Sequence, residues 1–146
     1  MISVADFMTK DLVTVRESDD LALAESLLKL AGIRHLPVVR AGRLVGLLTQ
    51  RDLLRSGQSG AASARGVAVE SIMTREPVSI APSASLAQAA RLMLDRKFGC
   101  LPVCGDDGTL VGIVTEADFV RFAADVVRDL DLVAEAVSAQ SGAPSA

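Results

Sequence analysis

GRLVGLLTQRD (residues 42–52) and GTLVGIVTEAD (residues 108–118) are one stretch written twice, 66 residues apart. Each copy carries an apolar run of strand character that contains a glycine, Gly46 or Gly112. Each then opens a helix at a threonine, Thr49 or Thr115, with an aspartate three residues on, Asp52 or Asp118. Working outward, the correspondence continues upstream at an offset of 65. Leu36-Pro37-Val38 falls on Leu101-Pro102-Val103, Leu21-Ala22 on Leu86-Ala87, Val13 on Val78, Met8-Thr9 on Met73-Thr74, and Val4 on Val69. The offset changes by one at a turn, Ala41-Gly42 against Asp106-Asp107-Gly108. Two units of this size are each too small to close a core alone, so the repeat itself sets the architecture.

Within each unit the order reads β-α-β-β-α. Leu12–Val15 and Val78–Ile80 are short β segments, and Ser18-Asp19-Asp20-Leu21 and Ser83-Ala84-Ser85-Leu86 are helix starts at which serine is a good cap. Leu21, Ala24, Leu28 and Ala31 recur at helical spacing, as do Leu86, Ala90 and Met93, and Gly32 closes the first helix. Leu36–Val39 with Leu44–Leu48, and Leu101–Cys104 with Leu110–Val114, are joined by turns short enough for hairpins. The fold class is therefore α/β (α+β), two β-α-β-β-α repeats packed about a pseudo-twofold axis. The expected divisions are a first repeat over 1–56, a linker of Ser/Gly/Ala composition over 57–67, and a second repeat over 68–124. A helical extension over 125–137 and a disordered tail over 138–146 complete them. Phe119, Phe122, Val126, Leu130, Val133 and Val137 keep an apolar stripe into that extension, longer than so small a unit can cover.

Bulk composition narrows the function. Half of the 146 residues are hydrophobic while aromatics make up only 3%, so the core is built from aliphatic side chains without metal or disulfide staples. A net charge of −3 gives no basic field for nucleic acid or for an anionic membrane. No apolar run approaches the roughly 20 residues of a membrane span, and the amino terminus lacks an apolar signal segment, so a cytoplasmic protein is expected. Cys100 and Cys104, about 13 Å apart on one face of a strand, read as small buried hydrophobes. The single histidine, His35, and the lack of HExxH, GxSxG or a P-loop nominate no catalyst and no metal site.

The duplicated Gly-x-x-Thr-x-x-Asp has two readings. Threonine before a helix with an acid three residues on is a capping box, which satisfies backbone donors with no ligand. Yet the junction follows a glycine twice, as if backbone must come close to something in a cleft. The helix start offers N–H groups suited to phosphate, and the aspartate is suited to accept from ribose hydroxyls.

The ordered set, Met-Thr, Leu-Pro-Val and Gly-x-x-Thr-x-x-Asp, each present twice from about Val4 to Arg121, resembles the cystathionine β-synthase (CBS) domain, which normally occurs in tandem pairs. The resemblance implies two symmetry-related clefts that commonly bind adenine nucleotides, here AMP, ADP or ATP, with no other cofactor. By motif position Asp52 and Asp118 would hold ribose, and Thr49 and Thr115 would contact phosphate or cap. The backbone at Thr14 and Ser79, with Val15, Ile80, Val45 and Val111, would line the base pocket. Arg34, His35 and Arg51 stand where similar modules contact phosphate. The second repeat has Gly99, Cys100 and Ala117 at those places, so one tight site is expected unless Arg75, Arg96, Lys97 or Arg121 substitutes. The implied role is a regulatory sensor, not an enzyme, in a homodimer acting on a protein partner. The alternative is a ligand-free dimerisation or partner-docking module.

Overall fold

The structure, a computed structural model, describes residues 1–57 and 64–142. In chain order its elements are α1 (Val4–Phe7), α2 (Leu21–Ala31), β1 (His35–Arg40), β2 (Arg43–Thr49), α3 (Gln50–Ser56), β3 (Thr74–Arg75), α4 (Leu86–Arg96), β4 (Cys100–Cys104), β5 (Leu110–Thr115) and α5 (Glu116–Ser141). They divide into one unit over Met1–Val114 and a second that begins at Thr115.

Both hairpins form where the apolar runs place them, β1 against β2 and β4 against β5. What the repeat does not announce is an exchange. Thr74–Arg75, from the second repeat, pairs with β2 of the first, with Gly46 opposite Arg75 and Leu47 opposite Thr74. Reciprocally Thr9, from the first repeat, bridges Ile113 in β5 of the second. The other bridges come in equivalent pairs as well: Val15 with Val38 and Ile80 with Val103, Ser3 with Ser85 and Asp20 with Ala68. Arg43 and Thr109 occupy the same position in the two repeats and bridge each other, which happens only on a twofold axis. Leu44 N donates to Gly108 O at 3.1 Å and Leu110 N to Gly42 O at 3.0 Å on either side of it.

The exchange gives the repeated methionine and glycine their meaning. A Cβ on buried Gly112 would collide with the Met8 Sδ and stand 2.8 Å from its Cγ; one on buried Gly46 would collide with the Met73 Sδ. The close approach that the glycines permit is thus filled by the methionine of the opposite repeat, where the sequence suggests room for something in a cleft. We expect Gly112→Ala to cost about 1–3 kcal/mol in denaturant unfolding, and most of that cost to vanish in a Met8→Ala background. Additive penalties would show that the two residues do not meet.

Around this frame the core is aliphatic: Leu21, Leu36, Val38 and Leu48 are fully buried, as are Leu101, Val103 and Val114. The first β segment of each repeat is reduced to a single parallel bridge, because only Val15 and Ile80 reach the hairpin edge. α2 is capped by Asp20 rather than by Ser18. Asp20 Oδ1 accepts from Ala22 N at 2.8 Å and Oδ2 from Gly66 N at 2.9 Å. That second bond, together with Ala64 buried and Val67 packed on the core, anchors the end of the linker that its composition marks as flexible; residues 58–63 of the linker lie outside the described residues. At the other terminus α5 is one continuous helix through Ser141, so the extension is not a separate element and residues 138–141 of the expected tail are helical. Ser141 Oγ donates to Val137 O at 2.9 Å. Residues 143–146 lie outside the described set.

The hydrogen bonds from Gly66 and then Ala22 hold the Asp20 carboxyl below its ordinary value. A carboxyl depressed on folding stabilises the fold above its unfolded pKa of about 3.9, and that contribution disappears as pH falls through the lower folded value. Asp20→Asn should therefore flatten the acid limb of a stability-against-pH curve, measured by thermal melts. An acid limb that keeps its slope would remove Asp20 from the account.

Candidate functional site

At the end of the first hairpin His35 lies opposite Thr49, and Gln50 N donates to Arg34 O at 3.0 Å. This register gathers Arg34, His35, Thr49, Arg51 and Asp52 at one end of the sheet. Thr49 is extended (φ −115°, ψ 159°) and caps α3: its Oγ1 accepts from Asp52 N at 3.1 Å, and Asp52 Oδ2 accepts from Thr49 N at 2.9 Å. Capping therefore uses one oxygen of Asp52. Among the described residues its Oδ1 has no partner, and the two arginines are exposed to solvent beside it.

The junction in the second unit has the same box with a different outcome. Asp118 Oδ2 accepts from Thr115 N at 2.8 Å and from Thr115 Oγ1 at 3.0 Å, while Asp118 N donates to that hydroxyl at 3.3 Å. Here Arg121 also reaches back, its NH2 nitrogen 2.6 Å from Asp118 Oδ1, so both carboxylate oxygens are engaged. Arg55, the equivalent of Arg121 in the first repeat, makes no ion pair among the described residues. A carboxylate with an open oxygen can accept from vicinal hydroxyls; one already held by a guanidinium must first be released.

The remaining residues named from sequence separate. Val15 is in the core cluster at 2% exposure, with its N–H donated to Pro37 O and its carbonyl accepting from Val39 N. Its side chain therefore packs inside rather than facing a cleft, and half-buried Thr14 adjoins it. Ser79 and Ile80 stand in the equivalent places but are open. With Leu44, Pro77, Cys104 and Gly105 they line a groove of about 430 Å³, and Glu76 and Asp106 also border it. The contrast has a side-chain cause. Gly105 and Pro82 replace Arg40 and Glu17, whose ion pair (Arg40 Nε to Glu17 Oε1, 2.7 Å) occupies the corresponding positions of the first repeat. Cys104 is a groove residue that its reading as a plain hydrophobe misses; burial pushes its thiol pKa up, against a hydrogen bond with Ser79. Its place just after Leu-Pro-Val was the available signal.

Of the candidate substitutes for the missing cations, Arg75 is carried by the strand exchange to the first repeat's β2, opposite Gly46. Its NH2 nitrogen donates to Glu70 O at 3.3 Å. Arg96 lies over the Phe98 ring at 5.7 Å, and Lys97 ends α4 in the left-handed region. Among the described residues no cluster of three His, Cys, Asp or Glu could hold a metal ion, and no helix is long and apolar enough to cross a membrane.

A family model described as "CBS domain" matches residues 4–59 and again 69–125. The chain is 38% identical over 119 residues to the CBS domain-containing protein YhcV of Bacillus subtilis, covering 81% of this chain and 83% of that one. It is 33% identical to an inosine-5'-monophosphate dehydrogenase of Korarchaeum cryptofilum, but spans only 22% of that protein's length, and the next curated relative, MJ0188 of Methanocaldococcus jannaschii, is spanned over 43%. The structure is similar to that of CBSX2 in complex with AMP (TM-score 0.76, 33% identity, 86% of this chain and 99% of that one). It is also similar to the CBS domain pair of MJ0100 in complex with 5'-methylthioadenosine and S-adenosyl-L-methionine (TM-score 0.75, 27% identity, 86% and 98%).

Proposed function

The chain belongs to the CBS domain family, as a tandem pair with one copy in each repeat, and from that premise we propose that it is a regulatory module whose first junction grips an adenosine-type ligand, AMP, ADP or ATP. The observation that carries the reading is the open Oδ1 of Asp52, set among Thr49, Arg34, His35 and Arg51. The complexes of CBSX2 with AMP and of MJ0100 with 5'-methylthioadenosine and S-adenosyl-L-methionine support the ligand class, since adenosine with its vicinal diol is common to all three. Ribose hydroxyls would donate to Asp52, the arginines would meet phosphate, and the groove at Ser79 and Ile80 would offer an apolar wall for a base. A homodimer acting on a partner protein belongs to the same reading. Regulation would follow if the ligand prefers one arrangement of module and partner, because a ligand shifts an equilibrium only by its differential affinity.

A second reading, a ligand-free docking module, is favoured by the completeness of both capping boxes, which account for Thr and Asp without any ligand. Calorimetric titration with adenosine, AMP, ATP, 5'-methylthioadenosine and S-adenosyl-L-methionine separates the two: silence with all five would leave docking alone. If the ligand is a nucleotide, Arg51→Ala should weaken ATP about tenfold and adenosine hardly at all, a difference that shrinks as salt rises. Equal losses for both would place the phosphate elsewhere.

A further inference from the structure

The groove at Ser79 has two walls, the segment through Ser79 and Ile80 and the end of β4 at Cys104 and Gly105. About the twofold axis at Arg43 and Thr109, its counterpart in the first repeat is built from the segment through Thr14 and Val15 and the end of β1 at Val39 and Arg40. The backbone is alike at the two places, since Val15 bridges Val38 just as Ile80 bridges Val103. Their surfaces are not. Val13 and Thr14 are half-buried and Val15 is buried, whereas Val78 and Ser79 are exposed and Ile80 is half-buried.

What differs in kind is one residue on each wall. Gly105 has no side chain, and the second groove stands open at about 430 Å³. Arg40 carries a long one, and its Nε and NH2 nitrogens both reach Glu17 Oε1, the former at 2.7 Å, so a side chain rooted on one wall is tied to the other. The anchor is itself fixed: the Glu17 side chain is only 14% exposed, and its carbonyl accepts from Glu70 N at 3.0 Å. An arginine held in this way lays its methylene stem over apolar surface and keeps its charge in water, in line with the 71% exposure of Arg40. We propose that the Arg40–Glu17 pair is a strap across the first repeat's counterpart of the Ser79 groove, so that one purine base finds an open pocket and a second must displace the strap to enter. The identity of that guest rests on the ligand reading above; the closure is a property of the chain alone.

Two readouts on the full chain keep closure and ligand apart. The first is the rate at which Thr14→Cys and Ser79→Cys react with iodoacetamide, a neutral reagent, followed by mass spectrometry of the labelled peptides. Ser79→Cys should react at least about tenfold faster than Thr14→Cys, and adding Arg40→Ala should speed Thr14→Cys at least about fivefold. Loss of a nearby cation raises a thiol pKa, so only access can account for a gain. The converse transplant, Gly105→Arg with Pro82→Glu, should slow Ser79→Cys about as much as Arg40→Ala speeds Thr14→Cys. It has room, because Gly105 is not in the left-handed region and a Cβ there meets only Asp107 Oδ1 at 3.4 Å. The second readout is calorimetric titration with adenosine, which has no phosphate. Arg40→Ala should bring out a second event, and the transplant should weaken the first at least about tenfold. Melts should find Arg40→Ala as stable as the wild type, since exposed ion pairs add little. A Thr14→Cys rate unmoved by Arg40→Ala overturns the proposal and assigns the cover to the linker end at Ala64 and Val67. Two equal adenosine events in the wild type overturn it and leave the ligand reading standing. Silence toward adenosine in every variant, with labelling rates as expected, overturns the ligand reading and sustains the strap.

Discussion

Asp52→Asn is expected to weaken AMP binding about tenfold to a hundredfold, while Asp118→Asn leaves it within about twofold. The chemistry of the two carboxylates is the same; their partners are not. Asn keeps an acceptor for Thr49 N, so the cap survives at a cost of about 1 kcal/mol or less, but it removes the negative charge from the side chain that would accept from two hydroxyls. Asp118 presents no open oxygen while Arg121 holds Oδ1, so its neutralisation costs an internal ion pair rather than a ligand contact. Arg121→Ala should then release that oxygen and bring out a second, weaker binding event. Titration of the two aspartate variants and of Arg121→Ala decides the matter. Equal loss from both aspartate substitutions would show that the Arg121 contact yields to ligand and that the junctions are equivalent.

Leu101→Ala should destabilise the fold by about 2–5 kcal/mol, and Leu36→Ala by a similar amount, because each removes a fully buried side chain from a close-packed layer. The informative part is the form of the transition. Since Thr74–Arg75 completes the sheet of the first repeat and Thr9 reaches that of the second, either substitution should shift one cooperative denaturant transition followed by circular dichroism. Two transitions, with only one displaced, would mean that the repeats fold independently despite the exchange.

These two cases mark where the sequence is informative and where it falls short. Leu36 and Leu101 are identifiable as core because both sit in Leu-Pro-Val runs that recur in register, and hairpins at Ala41-Gly42 and Asp106–Gly108 follow from turn length. The capping boxes at Thr49 and Thr115 are equally readable, being local in sequence. Pairing between repeats is not local: nothing in Met8-Thr9 says that its neighbour is Ile113, so the glycines at 46 and 112 invite a ligand as their explanation. Likewise Asp20 outcompetes Ser18 as a cap because Gly66, 46 residues away, adds a second bond. The difference between Asp52 and Asp118 rests on the conformation of one arginine side chain, which two nearly identical strings of letters do not reveal.

The crossing of Met8-Thr9 to β5 also governs the order in which the protein can be completed as it leaves the ribosome. Met8-Thr9 must wait for roughly a hundred further residues before Ile113 exists to receive it, and closing so long a loop costs more entropy than any other bridge among the described residues. Until then Gly112 has no methionine above it, and the first hairpin lacks β3 until residue 75 has been made. The nascent first repeat is therefore an open-edged sheet, exposed to pairing with neighbouring chains, until Thr74–Arg75 has been made. The second hairpin, by contrast, finds Thr9 already made when Ile113 appears.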